Sequence, residues 1–429
     1  MRVIVTVVLV LAAATGMAQD AARDVAVYVE RYEDPILKEM DDRATELAEA
    51  AKAVTDEILA AYREAEKGRT EPQRQLRFDL AGLIRPEGPQ AFTTTAWHFP
   101  PTPQYRTGTC WSFSATSFLE SEIKRLHGRE VKLSEMWGAY WEFVAKARGF
   151  VASRGESLVD HGSQTAALLN AVREHGLVPR SAYEGVLAED GRFDHDLMVE
   201  RIQAFLKWCK TEGFWEGETI VAMVRRILDG TMGAPPETVE WQGRVMTPLE
   251  FRDEVCALDP DDYVSLMSTL SAPFWTRGEY RVPDNWWHDS SYVNLPLQDW
   301  YAVILRVVSS GGSLVIGGDV SEPGMNGFED VAVVPSFDIP FEYIDQSARE
   351  LRFANRTTTD DHGIHMVGHV TLDGHDWFLV KDSNRSSRHG RHEGYYLYRD
   401  DYVKLKMLTV TVPRDQVADI LARVDEVGQ

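Results

Sequence analysis

Two polar motifs in this chain lie more than 250 positions apart, and a fold that suits the sequence has to accommodate both. The first motif centres on Cys110, which directly precedes an apolar helical run at 115–126. The second is a histidine-rich segment at 360–368, from which an alternating apolar stretch leads to Asp373 and Gly374. Asp-Gly is the dipeptide of a tight hairpin turn. The sequence therefore predicts a cysteine at the start of a helix and histidines at the start of a β-hairpin.

Cys110 is a candidate nucleophile, because a thiol at a helix N-terminus gains anionic character from the helix dipole. Such a nucleophile needs a base, a group that orients the base, and a donor for the oxyanion of a tetrahedral intermediate. Gln104, six residues before the cysteine, is a candidate donor. A lone cysteine at a helix start is more often an inert buried thiol, so the catalytic interpretation depends on the other groups.

The predicted hairpin supplies candidates for those groups. Its returning strand, 377–381, ends at Asp382. A two-residue turn at 373 and 374 pairs positions whose numbers sum to 747, which places Asp382 across from His365 and diagonally near His362. Both histidines are therefore candidates for the base on this geometry.

Together these motifs resemble those of the papain-like cysteine peptidases. The cysteine motif follows the pattern Gln-x-x-x-Gly-x-Cys-Trp, with Gln104, Gly108, Cys110 and Trp111. The histidine motif has a small residue after the histidine and a glycine six positions on, with His362, Gly363 and Gly368. Residues 380–384 are similar to the family's Val-Lys-Asn-Ser-Trp. Further stretches resemble the bleomycin-hydrolase branch of that family: 133–135, 160–164, 174–179, 282–286 and 317–320.

The resemblance implies both a fold and a set of roles. The implied fold class is α+β, a papain-like two-lobed fold in which a helical lobe carries the cysteine and an antiparallel sheet or barrel lobe carries the histidine. Cys110 is then the nucleophile, His362 the general base and acid, and Gln104 a side-chain donor to the oxyanion hole. The family's glycine-rich segment holds the substrate backbone, which implies substrate-binding roles for Gly162, Ser163 and Trp111.

Three positions depart from the family pattern. Asp382 replaces the usual Asn; it still accepts a hydrogen bond from the imidazole, and its charge raises the histidine pKa and stabilises the imidazolium. Asn384 replaces the Trp that shields this hydrogen bond, and His161 replaces a Gly and narrows the substrate site. No metal or other cofactor is expected, since no histidine pair has compact ligand spacing with cysteine support.

The chain is predicted to divide into three regions. Residues 1–18 fit a signal peptide, because an apolar run that begins at Val3 is followed by the small-residue segment Gly16-Met17-Ala18. The protein is therefore expected to be exported to the periplasm or the extracellular space. Residues 19–89 are predicted to form an N-terminal helical extension and linker, and 90–429 the peptidase domain. The helix carries a heptad seam, which favours intramolecular packing or dimerisation over an inhibitory propeptide: Met40, Ala44, Leu47, Ala51, Val54, Ile58, Ala61 and Ala65.

The interval from Cys110 to His362 is about twice what a minimal papain needs, which predicts a large insertion at about 183–285. The insertion and its border are rich in tryptophan, and these side chains form either its own core or a substrate wall or oligomer contact. Cys209 and Cys256 are either a disulfide or two buried thiols. The formal net charge of -22 makes nucleic acid and anionic membranes poor partners, so a peptide or protein substrate is expected.

The function predicted from these observations is a secreted or periplasmic cysteine peptidase that works through an acyl-enzyme. Aminopeptidase action is implied by the bleomycin-hydrolase branch, whose own C-terminal arm blocks the cleft. Here little chain follows the predicted helix at 414–427, so endo or exo mode stays open. One alternative is a catalytically impaired papain-like protein that binds peptides or a partner, motivated by Asp382 and Asn384. Another is an acyltransferase such as a transglutaminase-like enzyme, since Cys-His-Asp also serves that chemistry.

Overall fold

The computed structural model of the protein describes residues 26–69 and 76–427, and it divides into two compact units at residues 75 and 76. The predicted signal peptide at 1–18 and part of the predicted linker lie outside the described residues. The first unit consists mainly of helix α1 (Pro35–Arg69), where the carboxylate of Asp34 accepts a hydrogen bond from the Ile36 N–H at 2.9 Å. Several apolar heptad positions of α1 are exposed in the described unit: Met40, Leu47, Val54 and Ile58.

The second unit contains the remaining regular elements of the described chain. Its helices are α2 (Cys110–His127), α3 (Glu135–Ala152), α4 (Thr165–His175), α5 (Asp196–Glu212), α6 (Gly217–Met232), α7 (Pro248–Glu250), α8 (Leu297–Ser309), α9 (Gln346–Ala354), α10 (Asp400–Lys406) and α11 (Ala418–Val427). Its strands are β1 (Thr94–Thr95), β2 (Val239–Trp241), β3 (Arg244–Met246), β4 (Tyr263–Met267), β5 (Thr276–Gly278), β6 (Tyr292–Asn294), β7 (Leu314–Gly318), β8 (Met325–Asn326), β9 (Val331–Ala332), β10 (His362–Leu372), β11 (His375–Lys381), β12 (Tyr395–Arg399) and β13 (Met407–Pro413). None of the described helices is long and apolar enough to cross a membrane.

The described strands form one large sheet and one small hairpin. The large sheet has the order β5-β6-β4-β13-β7-β10-β11-β12-β9-β8, with β1 paired to β10, while β2 and β3 pair with each other. Most pairs are antiparallel, and β4 with β6 and β12 with β9 are parallel. The long strand β10 is central, because it pairs with β7 on one side and β11 on the other.

Two large apolar clusters give the unit its two lobes. One lies among the helices and includes Phe118, Tyr140 and Val172, from α2, α3 and α4. The other lies between the sheet and the helices α8, α10 and α11, and includes Trp300 and Phe378. Burial of apolar surface in both clusters stabilises the lobes separately. The two-lobed α+β fold, with an N-terminal helix and an insertion, is therefore as predicted.

The insertion joins the core of the helical lobe rather than forming a core of its own. Ile202 and Ile220, on α5 and α6, belong to the same apolar cluster as Phe118 of α2. Cys209 and Cys256 are both buried free thiols in that cluster, so of the two possibilities left open by the sequence the structure has the thiols. Trp208 remains half exposed.

The β10–β11 hairpin contains the predicted tight turn. Asp373 and Gly374 have φ values of 53° and 76°, as a type I′ turn requires. The predicted pairing, in which residue numbers sum to 747, holds from the turn back to Gly368 and Leu379. Beyond that point a β-bulge shifts the register by one residue, with Val367 as the unpaired position. The register predicted for the far end of the hairpin was therefore wrong.

Candidate active site

Cys110 is the first residue of α2, and Thr109 is its N-cap. Helix α2 is deeply buried through Ala115, Phe118 and Ile123, so its position is fixed by packing along most of its length. The N–H groups of a first helical turn have no partner within the helix, and the helix dipole favours negative charge there. The half-buried Cys110 thiol therefore lies where an anion is stabilised.

A glycine lets strand β10 approach this end of α2 closely. A Cβ atom on Gly363 would lie 3.4 Å from the Trp111 Cα and 3.3 Å from the Ser114 hydroxyl. Because Gly363 has no side chain, the strand packs on the first turn of the helix, and the preceding residue, His362, lines the same cavity as Cys110. The structure thus brings together two residues that are far apart in the sequence.

His362 is oriented by Asp382. The Nε2 atom of His362 lies 2.7 Å from Asp382 Oδ1, and both side chains are buried. This contact leaves Nδ1 as the ring atom for the thiol. The backbone N–H of Asn384 donates to the same Asp382 oxygen at 2.9 Å, whereas Asp382 Oδ2 is buried without a hydrogen-bond partner among the described residues. The carboxylate is thus fixed through one oxygen.

The pKa of His362 is set by opposing effects. Burial lowers it, while the charge of Asp382, the neighbouring Cys110 and the hydrogen bonds to both raise it, and the net result is a pKa well above the ordinary value. An imidazole in this setting is held in its charged form. It can therefore stabilise a thiolate and later protonate a leaving group.

The β-bulge at Val367 decides which histidine meets Asp382. Past the bulge, His365 pairs with Lys381, so Asp382 follows one residue later on the face that carries His362. Without the bulge, Asp382 would oppose His365. The bulge is stabilised from outside the hairpin, because the Val367 carbonyl accepts a hydrogen bond from the Ala96 N–H at 2.7 Å.

His365 lies on the opposite face of β10 and is completely buried. Its Nδ1 atom is 2.8 Å from the hydroxyl of Ser117, which also accepts a hydrogen bond from Lys381 Nζ at 2.8 Å. Burial lowers the pKa of His365 well below its ordinary value. The structure therefore places His365 away from the cavity that holds Cys110.

Gln104 lines the cavity and connects two loops. Its Nε2 atom donates to the Thr107 carbonyl at 2.5 Å, and its Oε1 accepts from the Ser383 hydroxyl at 2.6 Å. An amide nitrogen has two hydrogens, so one N–H is left to point towards a bound group. The Gln104 backbone N–H also donates to the Ser383 carbonyl at 2.9 Å, which ties the cysteine loop to the end of β11.

The predicted substrate-binding residues Trp111, Gly162 and Ser163 all line the cavity. Each of them already makes a hydrogen bond within the protein, through its side chain or its carbonyl. Trp111 Nε1 donates to the His161 carbonyl at 3.1 Å, and the Ser163 hydroxyl donates to Glu142 at 2.7 Å. The Gly162 carbonyl accepts from the buried Lys146 ammonium. These contacts hold the 161–163 segment rigidly beside the cysteine, so any contact it makes with a substrate would come from its backbone edge.

His161 packs directly on the cysteine loop. A Cβ on Gly108 would lie 2.4 Å from the His161 Cβ, and the Gly108 N–H donates weakly to the His161 ring at 3.4 Å. Burial lowers the pKa of His161. A neutral imidazole thus fills space at one edge of the cavity, as the replacement of a glycine predicted.

Four carboxylates also line the cavity, which has a volume of about 380 Å³: Asp160, Asp284, Asp360 and Asp361. Sequence reasoning did not assign them. The adjacent pair Asp360 and Asp361, directly before His362, was one signal, and the stretch 282–286, which contains Asp284 and resembles the bleomycin-hydrolase branch, was another. Burial, followed by the charge of Asp284, raises the pKa of Asp360 to about 7.

Comparisons with known proteins identify the family and the fold of the chain. The model of the Peptidase C1-like family matches residues 87–427. The crystal structure of PepW from Lactobacillus rhamnosis is similar, with 17% sequence identity and a TM-score of 0.63 over 78% of this chain and 84% of that chain. No curated protein sequence is similar enough to count as a match. The structural similarity shows a shared fold, and the family match covers both lobes.

Proposed function

The chain belongs to the Peptidase C1-like family, and from that premise we propose that it is a cysteine peptidase that forms an acyl-enzyme on Cys110. The observation that carries the proposal is the His362–Asp382 pair at 2.7 Å, whose histidine lines the same cavity as the thiol at the start of α2. Covalent catalysis needs a nucleophile, a base beside it and a group that orients the base, and Cys110, His362 and Asp382 fill these three roles. The resemblance to the bleomycin-hydrolase branch supports aminopeptidase action as one form of this activity.

In the first half of the reaction the Cys110 thiolate attacks the carbonyl carbon of the scissile peptide bond, and a carbon–sulfur bond forms. The carbonyl oxygen becomes an oxyanion, which the backbone N–H of Cys110 and the second amide N–H of Gln104 stabilise in this proposal. His362 gives its proton to the leaving nitrogen, and the carbon–nitrogen bond breaks. The amine product leaves, and the acyl group stays on sulfur.

In the second half the neutral His362 accepts a proton from a water molecule, and the resulting hydroxide attacks the thioester carbon. The carbon–sulfur bond breaks, the carboxylic acid product leaves, and the thiolate–imidazolium pair is restored. Asp382 keeps the imidazole in one orientation during both proton transfers.

The proposal is tested with a thiol-directed epoxide and a set of fluorogenic peptides. We expect the epoxide to label Cys110, with Cys209 and Cys256 unlabelled because both are buried. Cys110→Ala should abolish labelling and peptide hydrolysis, while the matched control Cys209→Ala should retain both. Normal turnover by Cys110→Ala would reject the proposal.

A second candidate is a catalytically impaired papain-like protein that binds peptides or a partner through the same cavity. Asp382 and Asn384, which replace the family's Asn and Trp, favour this alternative. It predicts that Cys110 stays unlabelled in folded, reduced protein that still binds peptides.

Location and assembly are parts of the same proposal. Export to the periplasm or the extracellular space is supported by the apolar run that begins at Val3 and by the small residues up to Ala18. Self-association is supported by the heptad seam of α1, which lies on an exposed helix. The tryptophan-rich insertion at about 183–285 is a second candidate surface for self-association.

A further inference from the structure

The active-site cavity has a strongly acidic lining. Asp284 and Asp360 stand in it together with Asp160 and Asp361, and no lysine or arginine is among the described residues that line it. The charge of Asp284 contributes to the raised pKa of Asp360, so the two carboxylates act on each other. Like charges in a partly desolvated cavity repel; the buried Lys146 behind the wall offsets part of the charge of Asp284, and a bound cation would relieve the remaining repulsion.

Asp284 is held rigidly at the cavity wall by the residues that follow it. The Trp286 ring packs on Gly149, where a Cβ would lie 2.2 Å from the ring, and its Nε1 donates to Glu142 at 2.7 Å. The Asn285 amide donates to the Tyr280 carbonyl at 3.0 Å. In contrast, the described residues make no hydrogen bond to the Asp284 carboxylate itself. The backbone at Asp284 is therefore fixed, and the Asp284 carboxylate lines the cavity with one oxygen packed against Gly162.

Asp360 is fixed through one oxygen only. Gln164, the N-cap of α4, donates to Asp360 Oδ2 at 2.5 Å. The other oxygen, Oδ1, faces Gly317 of β7, where a Cβ would lie 3.5 Å away. Asp360 therefore presents one carboxylate oxygen to the cavity.

Two glycines allow side chains of this cavity to pack closely against the backbone. A Cβ on Gly317 would lie 3.0 Å from the Thr409 hydroxyl, and a Cβ on Gly162 would lie 2.3 Å from Asp284 Oδ2. Thr409 is only 7% exposed and lines the cavity, and its hydroxyl has no hydrogen-bond partner in the part of the chain that the structure describes. The hydroxyl is not fully enclosed by protein, so a ligand in the cavity can pair with it.

We propose that Asp284, Asp360, Gly317 and Thr409, here called the acidic subsite, bind a cationic group of the peptide substrate. The proposal rests on the cysteine-peptidase function. The group is an ammonium or guanidinium ion, supplied either by the peptide's free N-terminus or by a lysine or arginine side chain. It donates charge-assisted hydrogen bonds to the two carboxylates, and the Thr409 hydroxyl accepts a further one.

The test uses Cys110→Ala, so that binding is measured without turnover. Fluorescent peptides are prepared in matched pairs: arginine against citrulline, its neutral isostere, and free against acetylated N-terminus. We expect at least a tenfold lower Kd for the cationic member of one pair, and the pair that shows it identifies the source of the cation. Equal affinities within both pairs would overturn the proposal.

Variants then locate the effect. Asp360→Asn keeps the shape and the contact with Gln164 but removes the charge, and we expect it to abolish the preference for the cation; Asp284→Asn should reduce it. Asp190→Asn, which removes the same charge from an exposed loop, is the matched control and should leave the preference intact. Retention of the preference in both Asp360→Asn and Asp284→Asn would overturn the proposal.

Two controls separate this inference from its premise. Chelator is added in parallel, since loss of the preference on chelation would assign the carboxylates to a metal ion and overturn the proposal. Hydrolysis of the same peptides by the wild-type protein is measured independently. A cation preference without hydrolysis supports the acidic subsite and rejects the peptidase function. Hydrolysis without a cation preference supports the peptidase function and rejects the acidic subsite.

Discussion

His365 and Lys381 are directly opposed across the β10–β11 hairpin, and both hydrogen-bond to the Ser117 hydroxyl of α2 at 2.8 Å. The pair occupies one face of the hairpin, while His362 and Asp382 occupy the other. One face is therefore attached to the middle of α2, and the other meets the start of α2 at Cys110. The bulge at Val367 is what separates the two pairs.

The charge of Lys381 gives a prediction on stability. Burial lowers the pKa of Lys381 to about 8, whereas its ordinary value is 10.5. Below pH 8 the lysine is charged in both states and the folded protein bears the full cost of burying that charge. Between pH 8 and 10.5 the unfolded chain binds more protons than the folded one, so the free energy of unfolding rises with pH, by about 3 kcal/mol in total.

Lys381→Met removes this dependence. We expect the variant to be more stable than the wild type at pH 7, by about 1 to 2 kcal/mol, because the buried charge is gone and Ser117 keeps its contact with His365. The advantage should disappear by pH 10. Urea unfolding at the two pH values measures this, and a difference between the proteins that does not change with pH would contradict it.

The loop contacts of Gln104 predict a graded loss of activity. Gln104→Ala removes an oxyanion donor, which is expected to lower kcat by about 10² to 10³. Ser383→Ala leaves the donor but removes the hydroxyl that holds Gln104 Oε1, so a smaller loss of about two- to tenfold is expected. Steady-state kinetics on one peptide gives both values. Equal losses would mean that Ser383 acts by itself rather than through Gln104.

The heptad seam of α1 predicts self-association. Leu47→Glu with Val54→Glu places two charges on the exposed apolar stripe, and we expect this variant to be a monomer where the wild type is a dimer. Light scattering after size-exclusion chromatography measures the mass. Lys52→Glu, on the same helix but outside the stripe, is the control and should not change it. A monomeric wild type at all concentrations would show that the stripe does not mediate dimerisation.

Local structure was predictable from the sequence wherever the preferences of a few neighbouring residues determine it. Cys110 begins a helix, and Asp373 and Gly374 form the expected turn, because both features depend on short-range preferences. The bulge was not predictable: Val367 is an ordinary strand residue, and its unpaired state depends on Ala96, some 270 positions away. An assumption of regular pairing therefore left two histidines as candidates.

The acidic lining was missed for a similar reason. Asp284 reaches the cavity only because Trp286 packs on Gly149 and hydrogen-bonds to Glu142, which are contacts between the end of the insertion and α3. The stretch 282–286 resembles the bleomycin-hydrolase branch, but that resemblance alone did not place Asp284 in the cavity. Asp360 was closer to being found, because it lies only two positions before His362, just ahead of β10.

Asp382 brings a negative charge to a position where the family has Asn. Although burial lowers the pKa of His362, the Asp382 carboxylate raises it, and the net shift is upwards. The imidazolium that the reaction needs therefore persists to higher pH than it would beside a neutral group. In kcat/KM against pH, deprotonation of this imidazolium ends the activity on the alkaline side.

Asp382→Asn should therefore move the alkaline limb of kcat/KM to lower pH, while activity at pH 6 is largely retained, because Asn is the usual residue of the family at this position and its oxygen still accepts from His362 Nε2. Asp382→Ala removes the acceptor as well as the charge, so it should lower kcat by about 10² or more at every pH. The two variants separate the charge from the orientation. If the alkaline limb of Asp382→Asn coincides with that of the wild type, the carboxylate acts only as a hydrogen-bond acceptor, and the substitution of Asp for Asn has no electrostatic role in catalysis.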